Sequence, residues 1–521
     1  MMMVVVMISL FLIAIIVLVV VVVFFVATST ARKQQQHSPA SRKNLLPLPL
    51  PPGSYGWPIL GETLEFIRAR NQGFPGCNKF VRVRMERYKS EVIKTSLMGE
   101  RVAVLGGPAG NKFLFSNEHK LVTLWWPASV SRLLGECIST SPGARGMRMR
   151  KMASHFFSPD AFNKLAYIDT MGRVTRRHLC AHWQGRSQLV VYPAVKLFTF
   201  ELACRLFMSI QDPDRIQRLE ALFRAFTRGV ISIPLYLPGT KFYKAVRATA
   251  KIKEELAAIV RERKKALLEQ EQGPNDLLSH LLVSPDEEGR YMSESVIVNN
   301  ILLMLFAGHD TSSSALTMVI KVLAEHPHVY KRVLAEQNEI TKAKGGQEPS
   351  SLLLQWEDIQ KMRYTWNVVC ETIRLWPPVG GAFREALTDI SYGGYRIPKG
   401  WKFYWSSPVT HEDSKLFADS SRFDPSRFEE EAQRNGGNSS SAPPPYAYVP
   451  FGGGPRMCLG KEFARLEMLV FLHNVVPRFR WSLVDPHEKI LCDPIPAPEK
   501  GLPIRLHPAA IANNNKQHMM N

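Results

Sequence analysis

The feature that most restricts this chain is a lone cysteine in a glycine-rich stretch near the C-terminus, Phe451-Gly452-Gly453-Gly454-Pro455-Arg456-Met457-Cys458-Leu459-Gly460. Cysteine binds metal as the thiolate, which needs backbone N–H donors close to the sulfur, and glycines permit that approach. At ordinary residue frequencies the spaced set Phe-x-x-Gly-x-Arg-x-Cys-x-Gly arises by accident in roughly one in ten thousand chains of this length. The stretch reads as a cofactor-binding loop, from Phe451 onward, in which Cys458 ligates heme iron and Arg456 pairs with a heme propionate. A Gly-rich turn around a buried free thiol is the plainer alternative. A phosphate loop fits less well, because no Gly-Lys-Ser/Thr follows the glycines.

From about Ser293 to His326 the chain is apolar and free of proline until Pro327, which predicts a long, central, buried helix with Ser293 as its cap. In its middle, Ala307-Gly308-His309-Asp310-Thr311-Ser312 brings an acid and a hydroxyl into an apolar surface. Such groups cost free energy when buried unless they are partnered or used. A bond from Thr311 back to the Ala307 carbonyl would open the helix ladder, and Gly308 would leave room for a diatomic ligand and a water. The alternative is an ordinary satisfied polar pair. His309 reads as a hydrogen-bonded core residue rather than a ligand, since neighbours on a helix point in different directions.

A second predicted helix carries Glu371 and Arg374 three residues apart, on one face. Arg427, within Phe423-Asp424-Pro425-Ser426-Arg427-Phe428, would complete a buried Arg-Glu-Arg network with a structural role. Two more arginines are candidates for the propionates: Arg384, and Arg150 within the basic stretch Arg145 to Lys151. A solvated basic face is the alternative for Arg150.

The chain has 521 residues, enough for three or more domains on length alone, although large single-domain enzymes are an exception. Met1 to Ala27 is uncharged and apolar, long enough to cross a bilayer. It is too long for a secretory h-region and lacks a basic n-region, so a cleaved signal peptide is disfavoured despite Ala27-Thr28-Ser29. Positive charge follows at Arg32, Lys33, Arg42 and Lys43, which places everything after the anchor in the cytosol. Leu46 to Gly53 alternates proline with leucine and reads as a stiff spacer. Glu91 to Leu97 and Arg101 to Leu105 predict a hairpin. The polar stretch Glu429 to Tyr446 reads as a mobile loop, and the tail from Ala509 as disordered. The organisation expected is an anchor at 1–30, a hinge at 31–52, a catalytic domain at 53–508 and a tail at 509–521. Seven scattered cysteines suggest neither a zinc site nor a disulfide framework, leaving six as inert core thiols. The formal charge of +20 comes without a basic run interleaved with aromatics, so membrane lipid and an acidic protein partner explain it better than nucleic acid.

Together these residues resemble the cytochrome P-450 superfamily of heme-thiolate monooxygenases, from Pro51 to about His507. Four motifs stand in the family's order: Ala-Gly-x-Asp-Thr, Glu-x-x-Arg, Phe-x-Pro-x-Arg-Phe and the cysteine loop. The anchor and hinge are similar to those of microsomal members. The resemblance implies a mainly α fold with small β-sheets (α+β) and heme b as cofactor, with Cys458 as proximal thiolate. It also implies that Asp310 and Thr311 deliver protons while one atom of O2 enters a hydrophobic small molecule. Electrons would come from an NADPH-dependent reductase docking on a basic face, and the location would be the endoplasmic reticulum membrane. One departure is Gly146, where the family commonly has Trp or His four residues before the arginine at 150. Pro51-Pro52-Gly53, Gly107 to Phe113 and Trp125-Trp126-Pro127 resemble the plant branch that oxidises triterpenoids, sterols and taxane diterpenoids. Trp125, Trp126, Leu133, Leu134, Leu303, Ala307, Val379 and Phe383 are candidates for an apolar pocket suited to such skeletons. The competing functions are a heme-thiolate isomerase or lyase acting on a peroxide, which would not need the acid and hydroxyl, and a non-catalytic heme-binding protein.

Overall fold

The computed structural model describes residues 48–508 other than 59, 72–78, 165–166, 231, 270–275, 346–353, 430–442 and 493–494. The expected anchor, most of the hinge, the middle of the polar loop, Cys77 and the tail lie outside the described residues. Among the described residues no helix is long and apolar enough to cross a membrane.

The predicted hairpin forms from β1 (Val92–Leu97) and β2 (Glu100–Leu105), paired antiparallel with Leu97 opposite Glu100. Met98 and Gly99 join them at φ of 56° and 80°, the doubly positive turn whose twist matches that of the strands. Three further strands, β3 (Val122–Leu124), β4 (Gly381–Ala386) and β5 (Lys402–Ser406), extend the sheet in the order β1-β2-β5-β4-β3. Leu124 on β3 registers with Arg384 on β4, which brings two distant parts of the chain to one edge. The carbonyls of Pro49 and Pro52 accept the Arg396 and Lys94 N–H groups, both at 2.9 Å, so this end of the proline-rich segment is docked.

Helices make up most of the rest. Those that bear on the site are α1 (Gly107–Ser116), α2 (Gly143–Ser154), α3 (Val191–Met208), α4 (Pro213–Val230), α5 (Lys241–Glu269), α6 (Glu294–Glu325), α7 (Arg363–Leu375) and α8 (Lys461–Val475). The long helix α6 has 32 residues, about 48 Å, and is apolar nearly all round, as a helix enclosed by others must be. It packs against α3, α5, α7 and α8. Pro327 opens the next helix directly after the His326 cap, as expected. Ser293 holds the N-cap position, but its hydroxyl bonds to none of the first-turn N–H groups and faces Ser295 Oγ at 3.3 Å instead.

Cys137, Cys204, Cys370 and Cys492 are buried thiols as expected, whereas Cys180 is exposed. The difference follows from its helix, Tyr167–His182, which buries Leu179 and turns the next position to solvent.

Candidate active site

The glycine-rich loop folds back on itself, with the Cys458 N–H donating to the Phe451 carbonyl at 2.8 Å. Its glycines serve chiefly a neighbour. A Cβ on Gly453 would meet the Phe115 ring of α1, and one on Gly454, at φ 63°, would strike the Phe115 backbone. Close approach of α1, more than of N–H groups to sulfur, is what requires glycine there. The N–H of Gly460 does lie against the sulfur. Cys458 is sterically accessible, yet burial pushes its thiol up, against the pull of the Gly460 N–H, the Arg150 guanidinium and the Lys461 ammonium. The sulfur is thus open at its surface yet set among protein atoms. A bound cation would complete its deprotonation.

Helix α6 carries an opening of its own. Leu303, Ala307 and Thr311 recur every four residues and share a face, and Ala307 is exposed although α6 is buried along most of its length. The Thr311 hydroxyl donates to the Ala307 carbonyl at 2.6 Å, as expected, but α6 continues without a break. The space lies at Ala307 and not at Gly308, whose missing Cβ would make ordinary contact, at 3.6 Å, with Phe207. Phe207 in turn packs at a tilt against Phe463 of α8, 5.3 Å away and five residues beyond Cys458.

Asp310 faces elsewhere. Lys196 of α3 reaches its Oδ1 at 2.5 Å, and the Thr227 hydroxyl of α4 donates to Oδ2 at 2.7 Å. Burial opposes its ionisation, but His309, Lys196 and Thr227 together hold the carboxyl below the usual range. His309 is buried and satisfied, with Nδ1 2.7 Å from the Leu305 carbonyl, as read from the sequence. The acid and the hydroxyl are thus adjacent in sequence but turned to different partners. Ser312 contacts Glu467 of α8, a buried carboxyl that desolvation pushes up to about 8.

The candidate propionate arginines converge beside the loop. The Arg150 guanidinium donates to the Met457 carbonyl, next to Cys458. Arg456 donates to the Ile138 and Ser141 carbonyls at 3.0 and 3.1 Å, and its Nε lies 3.5 Å from Glu118 Oε1. Arg384 donates from Nε to Glu118 Oε2 at 2.5 Å. Gly146 of α2 is explained here: a Cβ would collide with the Ser141 carbonyl that receives Arg456.

Behind the loop, Arg374 forks onto Glu371 at 2.7 and 2.8 Å, and Arg427 adds a third bond to the same carboxylate at 3.3 Å. The Asp424 N–H also donates to Glu371, at 3.0 Å. His411, which sequence reasoning missed, ties this network to the loop. Its Nδ1–H donates to the Arg374 carbonyl and its Nε2 accepts the Val449 N–H at 3.0 Å, two residues before Phe451.

Among the pocket candidates, Trp125 meets Phe383 edge-on at 5.5 Å and Val379 is 48% exposed. Leu133, Leu134 and Leu303 are buried in the main core, and Trp126 packs against it. Glu118, Lys196 and Glu467 also escaped sequence reasoning, because a single polar residue at a turn or in a helix carries no pattern until its partners are known.

Residues 51–502 match the family Cytochrome P450. The chain belongs to the cytochrome P450 family. A β-amyrin 28-monooxygenase of Vitis vinifera is 49% identical over 88% of this chain and 92% of its own length. Cytochrome P450 716A1 of Arabidopsis thaliana is 45% identical over 88% and 93%. A solved structure of a retinoic acid-bound cyanobacterial CYP120A1 has TM-score 0.77 at 35% identity, covering 88% of this chain and all of that one.

As a P450 monooxygenase the chain works with heme, and the side chains present suit that group. It needs a sulfur facing an open space, a small-residue wall and cations for two carboxylates, which Cys458, Ala307 and the arginines supply. Arg150, Arg384 and Arg456 against one Glu118 leave two positive charges in excess, the number two propionates neutralise. The Trp126 indole N–H and the Arg456 Nε are buried without hydrogen-bond partners.

Proposed function

We propose that this P450 inserts one oxygen atom into a terpenoid, a triterpenoid of the β-amyrin type above all, using electrons from an NADPH-dependent reductase. The relatives named for that activity match nearly the whole chain at close to half identity, and this observation carries the reading. Heme, when bound, supplies the reductive activation of O2. Cys458 would hold the iron, and Arg384, Arg456 and Arg150 its carboxylates. Thr311, on the open face of α6, would hold a proton beside the reacting oxygen, and Asp310 would replenish it through motion of its Lys196 and Thr227 partners. Trp125, Leu303, Ala307, Val379 and Phe383 would orient an apolar skeleton and exclude water.

In yeast expressing the chain with a plant reductase and supplied with β-amyrin, the expected product is heavier by oxygen. Oxidation of sterols alone would overturn the substrate assignment. Cys458→Ala is expected to abolish the red-shifted Soret band of the ferrous carbon monoxide complex, and an unchanged band would refute the ligand assignment. The apolar, uncharged run from Met1 to Ala27 supports a single-pass anchor in the endoplasmic reticulum with the catalytic domain in the cytosol. Deleting residues 1–30 should then release the protein from membranes partly or wholly. Retention resistant to salt would point to a second insertion surface.

A further inference from the structure

Glu118 is a buried carboxylate that neither the family's motifs nor the chemistry above assigns. It is 4% exposed and stands between two guanidinium groups from distant parts of the chain, Arg384 of β4 and Arg456 of the cysteine loop. Two cations side by side in a desolvated site repel, and each alone carries a large burial penalty. Glu118 offsets both, one oxygen to each Nε.

Its own placement is rigid. Glu118 follows the Asn117 cap of α1, and the Asn117 carbonyl collects the Lys120, Leu121 and Val122 N–H groups in one tight turn. His119 within that turn sits at φ 66°, a conformation a non-glycine residue adopts only under constraint. The helix before the turn presses Phe115 under Gly453 and Gly454, and the strand after it pairs with Arg384. Glu118 is therefore fixed to both elements whose arginines it joins. Its Oε1 accepts no hydrogen bond, and both His119 ring nitrogens are buried without hydrogen-bond partners, Nε2 lying 3.9 Å from that oxygen, so the cluster's hydrogen bonding is left incomplete by the protein alone.

We propose that Glu118 is a positioning residue that holds Arg384 and Arg456 together as a preformed clamp for the heme carboxylates. The inference rests on the heme reading given above. It makes Glu118 act through the arginines, so its effects and theirs are not independent.

The test is a double-mutant cycle on heme release from the purified ferric enzyme to excess apomyoglobin. Glu118→Gln and Arg384→Lys should each speed release about tenfold, within the range for partners that orient a ligating shell. The double variant should be no faster than the faster single, because both remove one clamp. Independent effects that multiply to about a hundredfold, or release from Glu118→Gln at the wild-type rate, would overturn the proposal. A second readout separates positioning from stability: the ferric–ferrous midpoint potential should rise in Glu118→Gln, which removes a negative charge beside the heme, and stay in place in Glu118→Asp. Equal shifts in both, or none, would sink it. If Glu118→Gln does not fold, the cycle run with Glu118→Asp and Arg384→Lys decides by the same criterion of non-additivity. Wild-type protein that purifies without a Soret band would instead refute the heme reading, so the two failures are distinct.

Discussion

Thr311 and Asp310 share a peptide bond and almost nothing else. The hydroxyl is on the open face of α6, bonded to the Ala307 carbonyl, and the carboxylate is sealed between Lys196 and Thr227. An approximately 100° rotation per residue separates them, so a motif that reads as one unit becomes two sites on different faces of a helix. Thr311→Ala removes the hydroxyl proposed to hold a proton beside the reacting oxygen while leaving Asp310 in its network. With reductase present, NADPH consumption should continue while product formed per NADPH falls, by up to roughly a hundredfold for loss of a positioned proton donor, and peroxide appears. Tight coupling in the variant would count against the role. The existence of both residues was plain in the sequence; which way each points depended on α3 and α4, whose contact with α6 no local pattern records.

At the scale of elements, the helix α7 shows what spacing can and cannot tell. Three-residue separation places Glu371 and Arg374 on one face, and the later Arg427 closes the network as anticipated. Nothing local marks His411 or the Arg422 carbonyl, which complete the arginine's shell from elsewhere. Glu371 and Arg374 are fully buried, so Glu371→Gln leaves the Arg374 guanidinium without its paired carboxylate. Loss of about 3–5 kcal/mol of stability is expected, the range for breaking a buried pair, with collapse of the wall behind the cysteine loop and loss of heme. Chemical denaturation of the variant checks this, and an unchanged midpoint would show the network to be dispensable. The glycines of the loop teach a related lesson. Their necessity was legible, but the reason lay with Phe115, some 340 residues earlier in the chain.

Over the whole molecule, burial of titratable groups sets the response to acid. Desolvation holds His178 and His411 down to about 3 and His473 to about 4, and all three are buried and neutral. Their unfolded values lie near 6.5, so the unfolded chain binds protons that the folded one refuses. Stability is then complete above about pH 6.5 and is lost as pH falls toward the folded values. Glu467 acts in the opposite sense: raised to about 8, it favours the fold below its unfolded value near 4.3 and loses that contribution as pH rises through 8. For these four groups the balance between about pH 6 and 5 is two protons, a slope of roughly 3 kcal/mol per pH unit. Denaturation curves at pH 7, 6 and 5 measure it, and equal stability at all three would show that these histidines charge in the native state.

Short-range chemistry was readable from the residues alone: the thiol among glycines, the acid and hydroxyl on a helix, the Glu-x-x-Arg face, the Met98-Gly99 turn and the proline that ends α6. Each depends on neighbours within one or two turns of chain, where spacing translates directly into geometry. The convergence of Glu118, Arg384 and Arg456, the sealing of Asp310 and the opening at Ala307 came only with the packed molecule. Those contacts join positions up to several hundred residues apart, and burial, which sets their charge states and energies, is a property of the surrounding atoms rather than of any segment.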